Sequence, residues 1–118
     1  MMKYLLSFFL LIFINFGCSQ IKEKAITEIS QDELNTTFLL DVRTPEEFSA
    51  GHIKNAVNIN LYDSEFIKKA TAQLPKDKTI YVYCAVGARS NQAVKKLIPL
   101  GYTVVNLSGG YNAYKAKE

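Results

Sequence analysis

The chain has a single histidine, two cysteines and no tryptophan in 118 residues. With so few imidazoles and thiols, no ligand set can close round a metal: His52 is alone, and Cys84 lies far along the chain from it. Neither a metal nor a cofactor is expected. Charge of one sign is also scarce. Lysine and arginine number 14 against 11 acidic residues, a formal net charge of +3 that is dispersed along the chain. There is no basic run and no interleaving of basic and aromatic residues, which argues against a nucleic-acid partner. Internal repeats and low-complexity segments are absent. The long apolar run, Tyr4 to Phe16, is broken by Ser7 and Asn15 and is short for a transmembrane helix. What is present fits one domain: the apolar fraction of 48% supports a packed core and is too high for disorder.

The apolar run follows Met1-Met2-Lys3 and ends at Gly17-Cys18-Ser19. A short positive stretch, an apolar stretch and a small residue are the parts of a secretory signal peptide. Gly17-Cys18 resembles the lipobox of bacterial lipoproteins, which implies a lipid on Cys18 as the first residue of the mature chain. The pattern departs from that family at Asn15 and Phe16. The expected division is a signal peptide over 1–17, a lipidation site and tether over 18–24, and a domain over 25–118. The chain is then exported to the cell envelope, anchored by lipid and facing the periplasm. Cleavage nearby without lipid, or retention of the run as an anchor, would also suit this stretch. If Cys18 carries lipid, Cys84 has no partner within the chain. An unpaired thiol in an oxidising compartment points to reactivity.

Beyond the tether, Ala25 to Ile29 reads as a first strand. Ser30 with Glu33 forms a capping-box pattern, opening a helix to about Asn35. Thr37 to Val42 is an apolar run of strand length. Thr44-Pro45-Glu46-Glu47 is a second capping box, and Gly51 stops its helix. Ala56 to Ile59 reads as a short strand, and Asp63 as the cap of a helix running to about Leu74. Tyr102 to Leu107 is another strand, and Ser108-Gly109-Gly110 leads into a last helix from Tyr111 to about Ala116. Strands alternating with helices predict an α/β fold with a parallel sheet covered on both faces.

The chemistry is concentrated between Thr79 and Ser90. Thr79-Ile80-Tyr81-Val82-Tyr83 is β-branched and aromatic, a buried strand. Ala93, Val94, Leu97 and Ile98 then recur at helical spacing, so a helix begins near Ser90. The connecting loop opens with Cys84 and closes with Arg89. In a parallel sheet, ligands bind where a strand ends before a helix. The unpaired first amides of that helix, its dipole and Arg89 all favour a thiolate on Cys84. An ordinary buried cysteine at a strand end is the plainer reading.

Three motifs together are similar to a single-domain rhodanese, over about Ile26 to Tyr114. They are Asp41-Val42-Arg43-Thr44-Pro45-Glu46-Glu47-Phe48 with Gly51-His52-Ile53 and Ala56-Val57-Asn58; Cys84 through Gly87-Ala88-Arg89-Ser90; and Gly101-Tyr102 with Val105-Asn106-Leu107 and Gly109-Gly110-Tyr111-Asn112-Ala113-Tyr114. The family usually has tryptophan where this chain has Tyr114. The resemblance implies five parallel strands with helices on both sides. It implies that Cys84 accepts a sulfane sulfur as a persulfide from a small donor, such as thiosulfate or polysulfide, and passes it to a thiophilic acceptor. The amides of roughly Ala85, Val86, Gly87, Ala88 and Arg89 would hold that sulfur, with Asp41 and Arg43 as supporting residues. His52 is expected to order its loop, and Arg43 to pair with Glu47. Arg89 is read equally as a substrate anion contact or a loop brace. Four residues separate Cys84 from Arg89; cysteine-dependent phosphatases and arsenate reductases have five, so they are the weaker reading. A non-catalytic binding module or a persulfide carrier would also suit these motifs. Some relatives in that family place basic residues in this loop, or an arginine at the position of Glu47, to hold anionic donors; the uncharged Ala85, Val86 and Ala88 therefore argue against a strong thiosulfate preference.

Overall fold

The computed structural model describes residues 21–118; the signal peptide and Cys18 expected from the sequence lie outside them. Five strands form one sheet, and every neighbouring pair is parallel. They are β1 (Glu23–Ala25), β2 (Phe38–Asp41), β3 (Val57–Asn58), β4 (Thr79–Tyr83) and β5 (Thr103–Ser108), in the spatial order β1-β5-β4-β2-β3. The helices are α1 (Gln31–Thr36), α2 (Pro45–Ala50), α3 (Phe66–Gln73), α4 (Ala88–Leu97) and α5 (Gly110–Lys117).

The side-chain alternation of the central strands builds two cores. On one face Leu40, Val42, Ile80, Val82 and Cys84 meet Phe66 and Ala70 of α3 and Ala93, Val94 and Leu97 of α4. On the other, Leu39, Tyr83 and Leu107 meet Ile26, Leu34 of α1, and Tyr111, Ala113 and Tyr114 of α5. Both faces are covered, as parallel sheets require. From β2 the chain goes outward to β3, returns to β4, and leaves to β5 on the other side. The point where the direction reverses lies between β2 and β4, and in parallel sheets ligands bind beyond the C-terminal ends of the strands at such a point. Asp41 ends one strand and Tyr83 the other, and the two are register partners.

Several boundaries differ from expectation. The first strand is Glu23–Ala25, and Ile26–Glu28 is a 3₁₀ turn rather than more strand. Glu23 and Lys24 are therefore in the sheet, not in a tether. Asp63 does not cap α3: its Oδ1 accepts from the Glu65 amide at 2.9 Å, closing a turn before the helix starts at Phe66. The Ser30 cap is half a box. Ser30 accepts from the Glu33 amide, but the Glu33 carboxylate goes instead to Lys24 and to the Tyr81 hydroxyl. At Thr44 and Glu47 both halves are made.

Candidate active site

Cys84 follows β4 directly and is 1% exposed. Its loop turns on Gly87, whose φ of +119° is a left-handed value that favours glycine. This turn starts α4 at Ala88, two residues before the position the apolar spacing suggested. It also aims the Gly87 amide at the sulfur, with N–H to Sγ at 3.0 Å. The Ser90 hydroxyl, on the first turn of α4 and fully buried, is 3.4 Å from Sγ and 3.0 Å from the Gly87 carbonyl. Burial alone raises the Cys84 pKa. The Ser90 hydroxyl and the amides of Ser90, Gly87 and Val86 outweigh it, so the thiol lies below its ordinary value. A thiolate is thus favoured by neutral donors fixed in the fold.

Beneath the loop is the start of α5. The Tyr111 amide donates to the Cys84 carbonyl at 2.8 Å, and the Asn112 amide to the Ala85 carbonyl at 3.1 Å. These bonds hold the loop carbonyls away from the sulfur and leave the amides facing it. The approach needs Gly110, at φ +66°: a Cβ there would lie 2.5 Å from the Ala85 carbonyl and 2.6 Å from that of Cys84.

Arg43 and Asp41 form a buried pair beside this assembly. The guanidinium donates to both carboxylate oxygens, Nη2 to Oδ2 at 2.7 Å, and Asp41 also accepts the Arg43 amide at 2.9 Å. Nη2 reaches the Gly51 carbonyl at 2.7 Å, and the guanidinium lies 4.4 Å from the centre of the Tyr111 ring. The pair therefore ties the end of β2 to the end of α2 and to the start of α5. The ion pair expected between Arg43 and Glu47 is not formed. Asp41 is closer, adjoins Arg43 through the same turn, and is wholly buried, so it takes the charge.

Glu47 instead holds Arg89. Two parallel bonds, Nη1 to Oε1 at 2.7 Å and Nη2 to Oε2 at 2.9 Å, join the cap of α2 to the first turn of α4. Arg89, followed by the Thr44 amide and hydroxyl, lowers the Glu47 pKa to about 2 against burial. Of the two roles read from the sequence, this pairing with Glu47 is the contact that a loop brace would make. His52 is exposed; its Nδ1 is 2.8 Å from the Phe48 carbonyl, and its ring stacks on Phe48 at 3.7 Å, ordering the turn after α2.

The Rhodanese-like domain family model matches residues 23–117. The chain belongs to the rhodanese-like domain family. It is 39% identical over 77 residues to a sulfurtransferase of Allochromatium vinosum, covering 64% of this chain and 69% of that one. It is 41% identical over 71 residues to the thiosulfate sulfurtransferase PspE of Escherichia coli, covering 60% and 67%. The crystal structure of a rhodanese-related protein from Thermoplasma volcanium superposes with a TM-score of 0.70 at 32% identity, covering 80% of this chain and 92% of that one.

In this rhodanese-like domain the structure brings Cys84, Ala85, Val86 and Gly87 into one loop that runs into Ala88 and Arg89 on the first turn of α4, with Asp41 and Arg43 at the neighbouring strand end. Ser90, Glu47 and the start of α5 stand in the motifs read from the sequence but were not given a part in the site. Ser90 was readable as the next polar residue one helical turn from Gly87. The Glu47–Arg89 pair spans 42 residues and had no local signal.

Proposed function

We propose that this chain is a sulfurtransferase that carries a sulfane sulfur on Cys84. The carrying observation is the sulfur of Cys84 at the reversal point of the sheet, taking the Gly87 amide at 3.0 Å in a four-residue loop. The activities named for its Allochromatium and Escherichia relatives support this reading. The first step is attack by the Cys84 thiolate on the outer sulfur of a donor. For thiosulfate the sulfur–sulfur bond breaks, sulfite leaves with the electron pair, and Cys84 becomes a persulfide. In the second step a thiophile attacks the outer sulfur, and the Cys84 thiolate leaves. A covalent intermediate thus splits one transfer into two. Loop amides hold the terminal sulfur without a metal or cofactor in the cycle.

The same reading places the protein in the bacterial envelope, facing the periplasm, with Cys18 as the lipid anchor. The motivation is the run ending at Gly17-Cys18.

The test uses the full chain with Cys18→Ser in mild detergent, which leaves Cys84 as its one thiol. After incubation with thiosulfate or polysulfide, intact mass should rise by one sulfur. Cyanide should remove it as thiocyanate, and a second cycle should restore it. Cys84→Ser should take up nothing. If no sulfane donor loads Cys84, the enzyme reading fails and a binding module is the better account.

A further inference from the structure

A free cation beside the loop amides would strengthen the binding of an inorganic dianion, and here the arginines of the site are engaged. Arg89 is held by Glu47 through two bonds, and Arg43 is 4% exposed and held by Asp41. The loop residues Ala85, Val86 and Ala88 carry no charge. Two exposed apolar side chains stand at the rim of the site. Val86 is 64% exposed and Tyr62 is 67% exposed, the two most exposed large hydrophobic residues among those described. Val86 is in the loop itself. Tyr62 lies against Arg89, with the guanidinium 5.9 Å from its ring centre. An inorganic anion gains little from such a rim and gives up hydration on entering it. An uncharged hydrocarbon tail gains by covering it.

We propose that Cys84 takes its sulfur from organic persulfides with an uncharged, apolar tail in preference to inorganic anions. Val86 and Tyr62 set that preference, and Glu47 enforces it by keeping the Arg89 guanidinium engaged. This rests on the sulfurtransferase reading. In the step, the Cys84 thiolate attacks the outer sulfur of R–S–SH. The sulfur–sulfur bond breaks with its electron pair on the inner sulfur, and R–S⁻ leaves. Cys84 keeps the outer sulfur and its hydrogen as a persulfide, so sulfur, charge and electrons balance without an added oxidant.

The experiment measures loading of the full chain carrying Cys18→Ser by intact mass, with methyl persulfide, n-hexyl persulfide and thiosulfate. Each rate is divided by that donor's rate with free cysteine, which removes intrinsic reactivity. The hexyl-to-methyl ratio should be about tenfold, the worth of one or two buried methylenes. Val86→Ser and Tyr62→Ser should each lower it toward one. Glu47→Gln keeps an acceptor for the Thr44 cap and removes the charge that holds Arg89; it should raise the thiosulfate-to-hexyl ratio several-fold. Each reading is a ratio on one sample, so partial loss of folding cancels. Equal methyl and hexyl ratios, or a normalised thiosulfate rate above that of hexyl persulfide, overturn the preference and leave the sulfurtransferase standing. Failure of every donor overturns both.

Discussion

The thiol at the centre of the site is tuned by neutral groups. Burial works against the Cys84 thiolate, and the Ser90 hydroxyl leads the groups that favour it. Ser90→Ala should therefore shift the pH midpoint of Cys84 alkylation upward and reduce the thiolate fraction at neutral pH. Arg89→Ala should move it less, because the guanidinium is committed to Glu47. Rates with iodoacetamide across pH check both; a larger shift from Arg89→Ala would return charge to the leading role. Glu47 carries a separate pH effect. Its pKa is about 2 in the fold against an ordinary 4.5. A depressed carboxylate stabilises the fold fully above 4.5, and that contribution is lost as pH falls toward 2. Acid unfolding of Glu47→Gln, followed by circular dichroism, should lack this part of the slope. Cys84 and its loop were legible because strand, glycine and helix follow one another locally. The partners of Arg43 and Arg89 were not, because an i+4 spacing offered Glu47 to Arg43 while the fold supplied a nearer carboxylate and a distant arginine.

At the scale of elements, two joints set the loop: the end of β2 on the start of α5, and the start of α5 on the loop. The first is the Asp41–Arg43 pair, which also reaches Gly51 and Tyr111. Removing one member leaves the other charge buried, which costs about 3–5 kcal/mol. Arg43→Ala should lose that much in denaturant melts. Arg43→Lys should recover little, since an ammonium cannot reproduce the fork to Asp41 and Gly51. The second joint is Gly110. A methyl group at Gly110 meets the Ala85 carbonyl at 2.5 Å, and overpacking of this kind costs about 1–3 kcal/mol. Gly110→Ala should also raise the Cys84 alkylation midpoint, since the freed loop carbonyls no longer leave the amides facing the sulfur. An unchanged midpoint would make the contact purely structural. The element order and both glycine turns could be read from patterning, because apolar runs and punctuation are local. Edges were harder. The first strand begins at Glu23, where polar residues read as a tether, because its place is fixed by pairing to β5 and not by its own side chains.

For the whole molecule, that first strand sets the end of the sheet from which the chain before Glu23 leaves. Glu23 is level with Asn106 of β5, which is level with Val82 of β4, one residue short of its end. The chain before Glu23 therefore runs back along β5: the Lys22 carbonyl accepts from the Asn106 amide, and with Thr103 and Val104 this residue lines a cavity at the opposite end of the sheet from Cys84. Ile21 packs on the first core there. Cys18 precedes Ile21 by three residues, a reach of about 10 Å at full extension. A lipid on Cys18 would hold the N-terminal ends of the strands near the bilayer, with the Cys84 loop on the far side and open to soluble donors. The wild-type protein should fractionate with membranes and take up labelled palmitate, and Cys18→Ser should take up no label. In intact vesicles displaying the domain outward, Cys84 should be alkylated at the same rate as in detergent. A soluble, unlabelled wild type would remove the anchor. A labelled protein whose Cys84 is slowed several-fold on the vesicle would keep the anchor and reverse the orientation, placing the loop against the lipid.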